Sequence, residues 1–528
     1  MKKIQVLLIS FILLITIFTS SVIANNQETS AILSVKYDRG YRYDTKGWIY
    51  LHVEGEAYDR GFQYGYLLSD EIIDIIHRWC EWGAKKRIIK IITLGDEEKI
   101  WSIYRTKAEQ LFLDKIPEEY IEEMRGIAQG INSKNNTLFN RKIQFEDILT
   151  LQLVQDIYYS CFKYSLKKYH PLRGAFNGFK TLLRKIQGKT EDEHCVAFIA
   201  TGNATKNGNV IAAHSTVFSP VIAEKCNIIL DIQPSQGYRF IMTTYPGAIW
   251  SCEDYYQNEE GIILTETELP QGPWKKDGIP KGVRSRNAIQ YSKSIDDVIN
   301  RLMEGNNGLI PNEWLIGDIK TGEIASLEQA LFNTPVRRTH DGFYWSCNFP
   351  HDRDVERELY GLSAVLINVL MKITPNLPFF VKANKFNEIK QEFYGEVDVE
   401  TAKKILSTYP ISYGLTDGKI TTSDLLRNMS LITHLGNPDE SASESSQKTD
   451  TASSRRNNIH SYGWVIINPM RLLSKNPETY EIDENAPLIR DNDKNPDSNN
   501  ILVYFLVLSI LLLILLIILD IYKRRSKK

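Results

Sequence analysis

The feature that most constrains the fold of this chain is a change of pattern near Glu193. Before it, apolar residues recur at helical spacing; after it, short runs rich in β-branched and aromatic residues alternate with turn residues. This order predicts an α+β fold, with a helical segment over residues 25–194 and a sheet-rich segment over 195–474. The predicted strands are 195–201, 209–217, 227–232, 238–244, 261–266, 314–319 and 323–328.

Local signals place further elements on either side of this change. The run from Trp48 to Val53 reads as a strand, and Ser69 is expected to cap the helix that follows it. Asp318 to Gly322 reads as a hairpin turn. Further helices are predicted after Pro117, over 145–159, and near 285–303 and 398–408, and the basic run 163–189 reads as a solvated connector.

The two ends of the chain suggest export and anchoring. Residues 1–24 have the layout of a cleaved signal peptide, with an uncleaved anchor helix as the alternative. Residues 501–521 are long and apolar enough for a transmembrane helix, although a buried core helix would read similarly. The basic tail 522–528 is expected in the cytoplasm and the ectodomain outside, extracellular or lumenal. Polar composition predicts a mobile loop at 437–459 and a stalk at 475–499.

Composition and missing motifs exclude several classes of function. The chain has 63 basic and 65 acidic residues, so its net charge of −2 gives no general reason to expect nucleic-acid binding. Its six cysteines include no Cys-x-x-Cys pair, and papain-like context, Walker, zinc-protease and dinucleotide motifs are absent from the sequence. We therefore expect no cofactor and no metal.

Cys195 is the residue with the clearest chemical potential, because it begins the first predicted strand. A thiol there can attack the preceding carbonyl and, after hydrolysis, leave a new α-amine at Cys195. That amine, with a pKa of about 8, can serve as the base for its own thiol. The alternative is a buried small hydrophobic residue, which the odd number of remaining cysteines favours weakly.

The register of the following hairpin predicts what faces Cys195. If Gly202 pairs with Gly208 across a five-residue loop, Cys195 lies opposite Ser215, with His214 and Thr216 beside it. A two-residue turn at Asn207 and Gly208 would instead pair Cys195 with Pro220, which cannot donate to the ladder. We favour the wider loop.

Several segments in order resemble a known family. They are Gly47–Gly55, Tyr58–Gly61, Gln63–Leu68, Cys195, Ala213–Thr216, Tyr245–Gly247, Glu266–Thr267, Asn312–Trp314 and Tyr344–Asn348. The first three resemble the self-cleaving penicillin acyltransferases (isopenicillin-N acyltransferase-like), which are N-terminal nucleophile hydrolases. The others are similar to the related phospholipase B-like proteins, and together they extend over about residues 47 to 470.

The resemblance implies a four-layer αββα sandwich and autocleavage between His194 and Cys195. It makes Cys195 the nucleophile, His214 the histidine of the second strand, Thr267 a pocket hydroxyl and Asn312 the oxyanion donor. Ser215 occupies the catalytic position that is usually Asp or Asn in these families.

Three functions remain open on this basis. The first is an autoproteolytic N-terminal-cysteine amide hydrolase or acyltransferase, acting on an N-acyl compound through a thioester. The second is a phospholipase B-like acyl ester hydrolase, and the third is a non-catalytic, membrane-anchored binding ectodomain. The expected partners are a small-molecule or lipid acyl substrate and, through the C-terminal helix, the membrane. The cleaved fragments are expected to stay associated.

Overall fold

The computed structural model describes residues 35–163, 195–252, 254–361, 364–365, 367, 380–439, 459 and 461–469. They belong to the first of two units, Met1–Leu472; the second unit, Leu473–Lys528, lies outside the described residues. The predicted signal peptide, His194, the stalk, the membrane span and the basic tail also lie outside them. Within the described part, no helix combines the length and apolar character needed to cross a bilayer.

The described chain alternates helices with short strands. Its strands are β1 Val35–Tyr37, β2 Gly40–Thr45, β3 Trp48–Gly55, β4 Val196–Gly202, β5 Gly208–Ser215, β6 Ile228–Pro234, β7 Phe240–Thr244, β8 Tyr255–Asn258, β9 Ile262–Glu268, β10 Asn312–Asp318, β11 Glu323–Gln329, β12 Val336–Thr339, β13 Gly342–Ser346, β14 Asp417–Thr422, β15 Leu431–Leu435 and β16 Trp464–Ile467. Its α-helices are α1 Ala57–Leu67, α2 Ser69–Ala84, α3 Arg87–Thr93, α4 Glu97–Phe112, α5 Glu118–Ser133, α6 Phe145–Ile157, α7 Pro220–Ala223, α8 Lys281–Tyr291, α9 Ile295–Met303, α10 Arg353–Tyr360, α11 Val381–Glu392, α12 Val399–Ser407 and α13 Ser423–Arg427.

The strands form two sheets. The larger has the order β1-β2-β3-β6-β7-β8-β9-β10-β11-β12, and the smaller has the order β13-β4-β5-β14-β15-β16. Pairing is antiparallel except between β3 and β6, which run parallel over seven residue pairs. The described residues before 195 form six α-helices and three strands of the larger sheet. The sequence predicts mostly helices here together with the strand at Trp48–Val53, and strands β1 and β2 are additional to that prediction.

The sheets are stacked face to face between helices. One apolar cluster joins the facing sides of the two sheets, through residues such as Ile199, Ala212, Ile263 and Leu315. A second cluster packs helices α1 to α9 against the other side of the larger sheet. On the outer side of the smaller sheet, Trp345 stacks on Phe386 of α11 with the ring centroids 5.2 Å apart. The expected mixed helix-and-sheet fold is thus confirmed, with the layers in the order helix, sheet, sheet, helix.

All seven strands predicted after residue 193 are present as β4 to β7 and β9 to β11. The predicted turn at 318–322 is also present, with Gly322 at a φ of 71°. The start of the second helix was predicted incorrectly. Ser69 is the first residue of α2 rather than its cap, because only Leu68 separates it from the end of α1 and the chain runs almost directly from one helix into the next.

Helices α1 and α5 cross at unusually close range. Each carries two glycines four residues apart, Gly61 and Gly65 on α1 and Gly126 and Gly130 on α5. A Cβ on Gly65 would overlap the carbonyl oxygen of Ile127, and the other three glycines meet backbone atoms of the facing helix in the same way. The two backbones can approach this closely because none of the four positions has a side chain.

Replacing Gly65 by alanine is therefore expected to destabilise the fold. We expect Gly65→Ala to lower the free energy of unfolding by about 1–3 kcal/mol, because the added methyl group meets backbone that cannot rotate away. Denaturant titration would measure the change. Gly83→Ala is the control, since its Cβ would lie 3.2 Å from the Ile100 Cγ2 side-chain atom, which can move. Equal stability of the two variants would contradict the close crossing.

Candidate active site

The β4–β5 hairpin positions the candidate nucleophile, with a register that differs from the predicted one. Gly202 pairs with Gly208 as expected, but a bulge lies between Ala200 and Gly202. Beyond the bulge Val196 pairs with Ser215, so the continued register places Cys195 opposite Thr216. The predicted register is therefore wrong by one residue at this point.

This shift decides which side chains share a face with Cys195. Along a strand successive side chains alternate between faces, so a slip of one residue exchanges them. His214 pairs with Ala197 and faces the other sheet, whereas Ser215 takes the opposite face. The Ser215 hydroxyl donates to the carbonyl oxygen of Asp417. The structure thus leaves His214 near the thiol and gives Ser215 a bond between strands.

Three buried groups converge at the start of β4. The Cys195 Sγ, a ring nitrogen of His214 and a carboxylate oxygen of Asp254 all lie within 4.8 Å of one another. Asp254 precedes β8, and its φ of 57° lies in the left-handed region, which Asp tolerates better than most residues. Sequence reasoning missed Asp254, because no motif marks a loop residue that tertiary folding brings to another sheet.

His214 is a neutral ring with both nitrogens engaged. Its Nε2 lies 3.0 Å from the carbonyl oxygen of Glu266, which can only accept, so Nε2 carries the proton. Its Nδ1 accepts from the Lys419 Nζ at 3.3 Å. Burial, together with the nearby Lys419 and Lys281 ammonium groups, holds the pKa of His214 well below its usual value. The ring is therefore poorly suited to take a proton from the thiol.

Asp254 is held by a buried ion cluster. Lys281 Nζ donates to its Oδ1 at 3.1 Å and also pairs with Glu266. Burial would lower the pKa of Lys281, but Asp254, Glu266 and Glu268 together raise it well above its usual value. Burial and the neighbouring Asp254 raise the pKa of Glu266, and its Oε2 has no hydrogen-bond partner among the described residues. Lys281 thus remains charged and fixes the Asp254 carboxylate near the thiol.

Thr267 joins the two sheets at this end. Its hydroxyl lies 2.6 Å from the Ser346 Oγ and accepts from the backbone N–H of Asn348 at 3.1 Å. The β13–β4 register, which ends with Ser346 opposite Ala197, places Asn348 opposite Cys195 when it is continued by two residues on each strand. The Thr267 hydroxyl therefore fixes the backbone beside the nucleophile.

Asn312 starts β10 and is fully buried. Neither its amide nitrogen nor its amide oxygen has a hydrogen-bond partner among the described residues. It pairs across the sheet with Glu268, whose carbonyl oxygen accepts from the Asn348 side chain at 2.7 Å. By strand alternation Asn312 belongs to the helix-facing side, with Trp314 and Ile316. An unpaired buried amide is costly, which is typical of a group that awaits a ligand.

A buried lysine on the outer helical layer interacts electrostatically with Cys195 and Cys347. Lys382 begins helix α11 with Val381, and burial lowers its pKa to about 8, while Cys347 and Cys195 raise it. Its Nζ donates to the carbonyl oxygen of Tyr413 at 3.0 Å.

No disulfide joins any of the six cysteines, all of which belong to the described part of the chain. A thiol, an imidazole and a carboxylate could hold a zinc ion, but binding would have to displace Lys419 from the His214 Nδ1.

Comparison with known proteins places these residues in a family. The family model described as Phospholipase B matches residues 42–321, just over half of the chain. The chain belongs to the phospholipase B family. The matched region contains Cys195, His214, Asp254, Thr267 and Asn312, and this family is the second part of the resemblance seen in the sequence.

Individual relatives are more distant. An uncharacterized protein of Archaeoglobus fulgidus is 24% identical over 400 residues, which cover 72% of this chain and 61% of that protein. The human putative phospholipase B-like 2 is 30% identical over 96 residues, which cover 16% of this chain and 15% of that protein. The chain thus aligns with less than two thirds of either relative's length.

Solved structures give only a weak likeness. Two structures of variants of the conjugated bile acid hydrolase from Clostridium perfringens align at 11% identity over 56% of this chain. The aligned part covers 100% and 92% of those chains, with TM-scores of 0.30 and 0.24. A likeness at this level does not by itself establish a common fold.

Proposed function

We propose that this chain is a hydrolase with an N-terminal cysteine nucleophile, formed by autoproteolysis between His194 and Cys195. The observation that carries the proposal is the state of His214, which is neutral and hydrogen bonded at both nitrogens beside a buried thiol. A thiol without an available histidine needs another base. The α-amine that cleavage would create on Cys195 is a base of suitable pKa on the same residue.

The proposed maturation is an acyl shift from nitrogen to sulfur followed by hydrolysis of the thioester. The Cys195 thiol attacks the carbonyl carbon of residue 194, the C–N bond breaks, the acyl group moves to sulfur, and the thiol proton passes to the freed nitrogen. Water then hydrolyses this thioester, which releases a carboxylate on the first fragment and the free α-amine of Cys195 on the second. The same thiol is then available for substrate.

Turnover follows the same chemistry. The thiol gives its proton to the α-amine as its sulfur attacks the acyl carbon of the substrate. The α-amine then protonates the departing amine, and water hydrolyses the acyl-cysteine thioester. If an acceptor other than water took the acyl group, the reaction would be acyl transfer.

Two neighbouring residues have roles in this proposal. Asp254, whose carboxylate lies within 4.8 Å of the thiol, would accept a hydrogen bond from the α-amine and hold it in place. It would supply the carboxylate that Ser215 lacks. Asn312, with an unpaired buried amide, would donate to the oxyanion of the tetrahedral intermediate.

A phospholipase B-like ester hydrolase is the second candidate, and the family match favours it. Ester and amide substrates pass through the same type of tetrahedral intermediate, so the proposed residues would serve either. A non-catalytic ectodomain is a third function, and it would not require cleavage at Cys195. N-terminal sequencing of the purified protein is the deciding experiment, because processing should yield a chain beginning Cys-Val-Ala-Phe.

We expect His214→Gln to retain turnover to within about tenfold, because glutamine can still donate to the Glu266 carbonyl and accept from Lys419. A general base would instead contribute about 10²–10⁴-fold. Steady-state kinetics on processed protein would measure kcat, and a pH–rate profile of the same shape as the wild type would exclude titration of His214. A loss of 10³-fold or more in a folded, processed variant would favour a Cys–His pair over the N-terminal amine.

Anchoring in a membrane through residues 501–521, with the ectodomain outside, remains a proposal that rests on the sequence. The same holds for the signal peptide at 1–24 and for continued association of the two fragments.

A further inference from the structure

A small polar cavity lies beside the candidate active site, on the helix-facing side of the larger sheet. Its volume is about 20 Å³, enough for one water-sized group. Its lining includes Gln152 and Asp156 from α6, Ser251 and Cys252 before β8, and Lys281 from α8. This lining does not suit an apolar chain.

Asp156 is the unusual member of this lining. It is 7% exposed, and within the described part of the chain its carboxylate has neither an ion pair nor a hydrogen bond to another residue. It lies at the end of α6, just before the π-helical turn Tyr158–Lys163, a type of turn that is frequent at functional sites. A buried carboxylate without a direct partner is costly, and a cationic ligand bound beside it would reduce that cost.

The charges around the cavity favour a cation. Glu266 and Asp254 already pair with Lys281, and the Arg284 guanidinium donates to the carbonyl oxygens of Ile279 and Leu302. Glu268 adds a further carboxylate to the surroundings of Asp156. Neither Lys281 nor Arg284 hydrogen bonds to Asp156, although both cations lower its pKa, so an ammonium group in the cavity could be its direct partner.

The cavity is linked to the Cys195 Sγ through Lys281 and Asp254. Lys281, which lines it, donates to Asp254, and the Asp254 carboxylate lies within 4.8 Å of the Cys195 Sγ. In the proposed mechanism Asp254 holds the α-amine that protonates the leaving group. The leaving group should consequently depart on the side of Asp254 and the cavity.

We propose that this cavity binds a primary ammonium group on the leaving-amine part of the substrate, through the Asp156 carboxylate. The inference rests on the proposed function, since it names the substrate class of that site: N-acyl derivatives of diamines or of similar amines with a second, cationic end. Asp156 is a specificity residue in this assignment, distinct from the groups that act on the acyl carbon.

Three substrates with the same acyl group test the assignment: N-decanoyl putrescine, N-decanoyl pentylamine and N-decanoyl γ-aminobutyrate. They end in an ammonium, a methyl and a carboxylate group. We expect the processed wild-type protein to prefer the first by at least tenfold in kcat/KM. Asp156→Asn should remove this preference mainly by raising KM for the putrescine derivative, with a smaller effect on the pentylamine derivative. Glu146→Gln is the control, because it removes a partly exposed carboxylate of the same helix that does not line the cavity.

The pH dependence gives a second readout. Burial has the largest effect on Asp156 and raises its pKa to about 6. The Lys281 and Arg284 cations oppose this shift, and the Glu268 carboxylate adds to it. Protonation removes the negative charge, so the preference for the ammonium substrate should be complete above pH 7 and fall as the pH drops below 6. Asp156→Asn should show no such change in the ratio of the two kcat/KM values.

The outcomes of these experiments decide whether Asp156 determines specificity or has only a structural role. Equal losses on all substrates in Asp156→Asn would make Asp156 structural, and a wild-type enzyme indifferent to the terminal group would overturn the inference. Either result leaves the proposed function intact if cleavage at Cys195 and its acyl adduct are observed. If no substrate is turned over, calorimetry with putrescine decides: binding at least tenfold weaker in Asp156→Asn supports the site, and equal or no binding refutes it.

Discussion

We expect Cys195→Ala to yield a single uncleaved chain without turnover. The thiol is the atom that attacks in both maturation and catalysis, and alanine leaves no nucleophile for either step. Intact mass and N-terminal sequencing would show the wild type as fragments of about residues 25–194 and 195–528, and the variant as one chain. Brief incubation with an acyl substrate should add the acyl mass to the 195–528 fragment of the wild type.

Cys80→Ala is the matched control, because Cys80 is a buried thiol in the helix-facing core, where burial raises its pKa. It should cost some stability but leave cleavage and turnover in place. A further test separates maturation from catalysis: alkylation of the Cys195 thiol after processing should stop turnover. A cleaved, active enzyme that keeps its activity after this alkylation would place the nucleophile elsewhere.

We expect Asn312→Ala to lower kcat by about 10²–10³-fold while the protein still folds. One donor to an oxyanion typically contributes this much, and removing an amide that has no partner among the described residues should cost little stability. Single-turnover kinetics would show whether the loss falls on acylation of the thiol.

Asn307→Ala is the control for this variant. Asn307 is also buried, but its side-chain oxygen accepts from the backbone N–H of Leu309, so its loss should reduce stability and leave kcat within about twofold. If Asn312→Ala kept full kcat, the oxyanion donor would have to be a backbone N–H or another side chain.

The part of the site that lies on regular strands could be predicted from the sequence. Cys195, His214 and Thr267 lie on or beside strands with a clear alternating pattern, and the structure brings Cys195 and His214 together. The register error arose at the bulge next to Gly202, because a bulge of ordinary residues leaves no mark in composition. Ser215 was therefore assigned to the wrong face.

The residues that were missed share a physical reason. Asp254 and Asp156 reach the site from a loop and a helix end that lie far from Cys195 in the sequence, so only tertiary packing brings them near it. Strand β14 was missed because Asp417 and Lys419 make it read as a polar loop. Those same polar side chains contact Thr216 and His214, so the strand is polar where it borders the site.

The parallel pairing of β3 with β6 constrains when the proposed cleavage can occur during folding. Seven residue pairs, from Ile49 with Ile228 to Gly55 with Pro234, join strands on opposite sides of the proposed cleavage point. Without the first segment, β6 would present a long unpaired edge, and such edges recruit other chains into aggregates. In the proposed maturation, cleavage would therefore follow closure of the sheet, so that the first segment covers the edge of β6 while the second half folds.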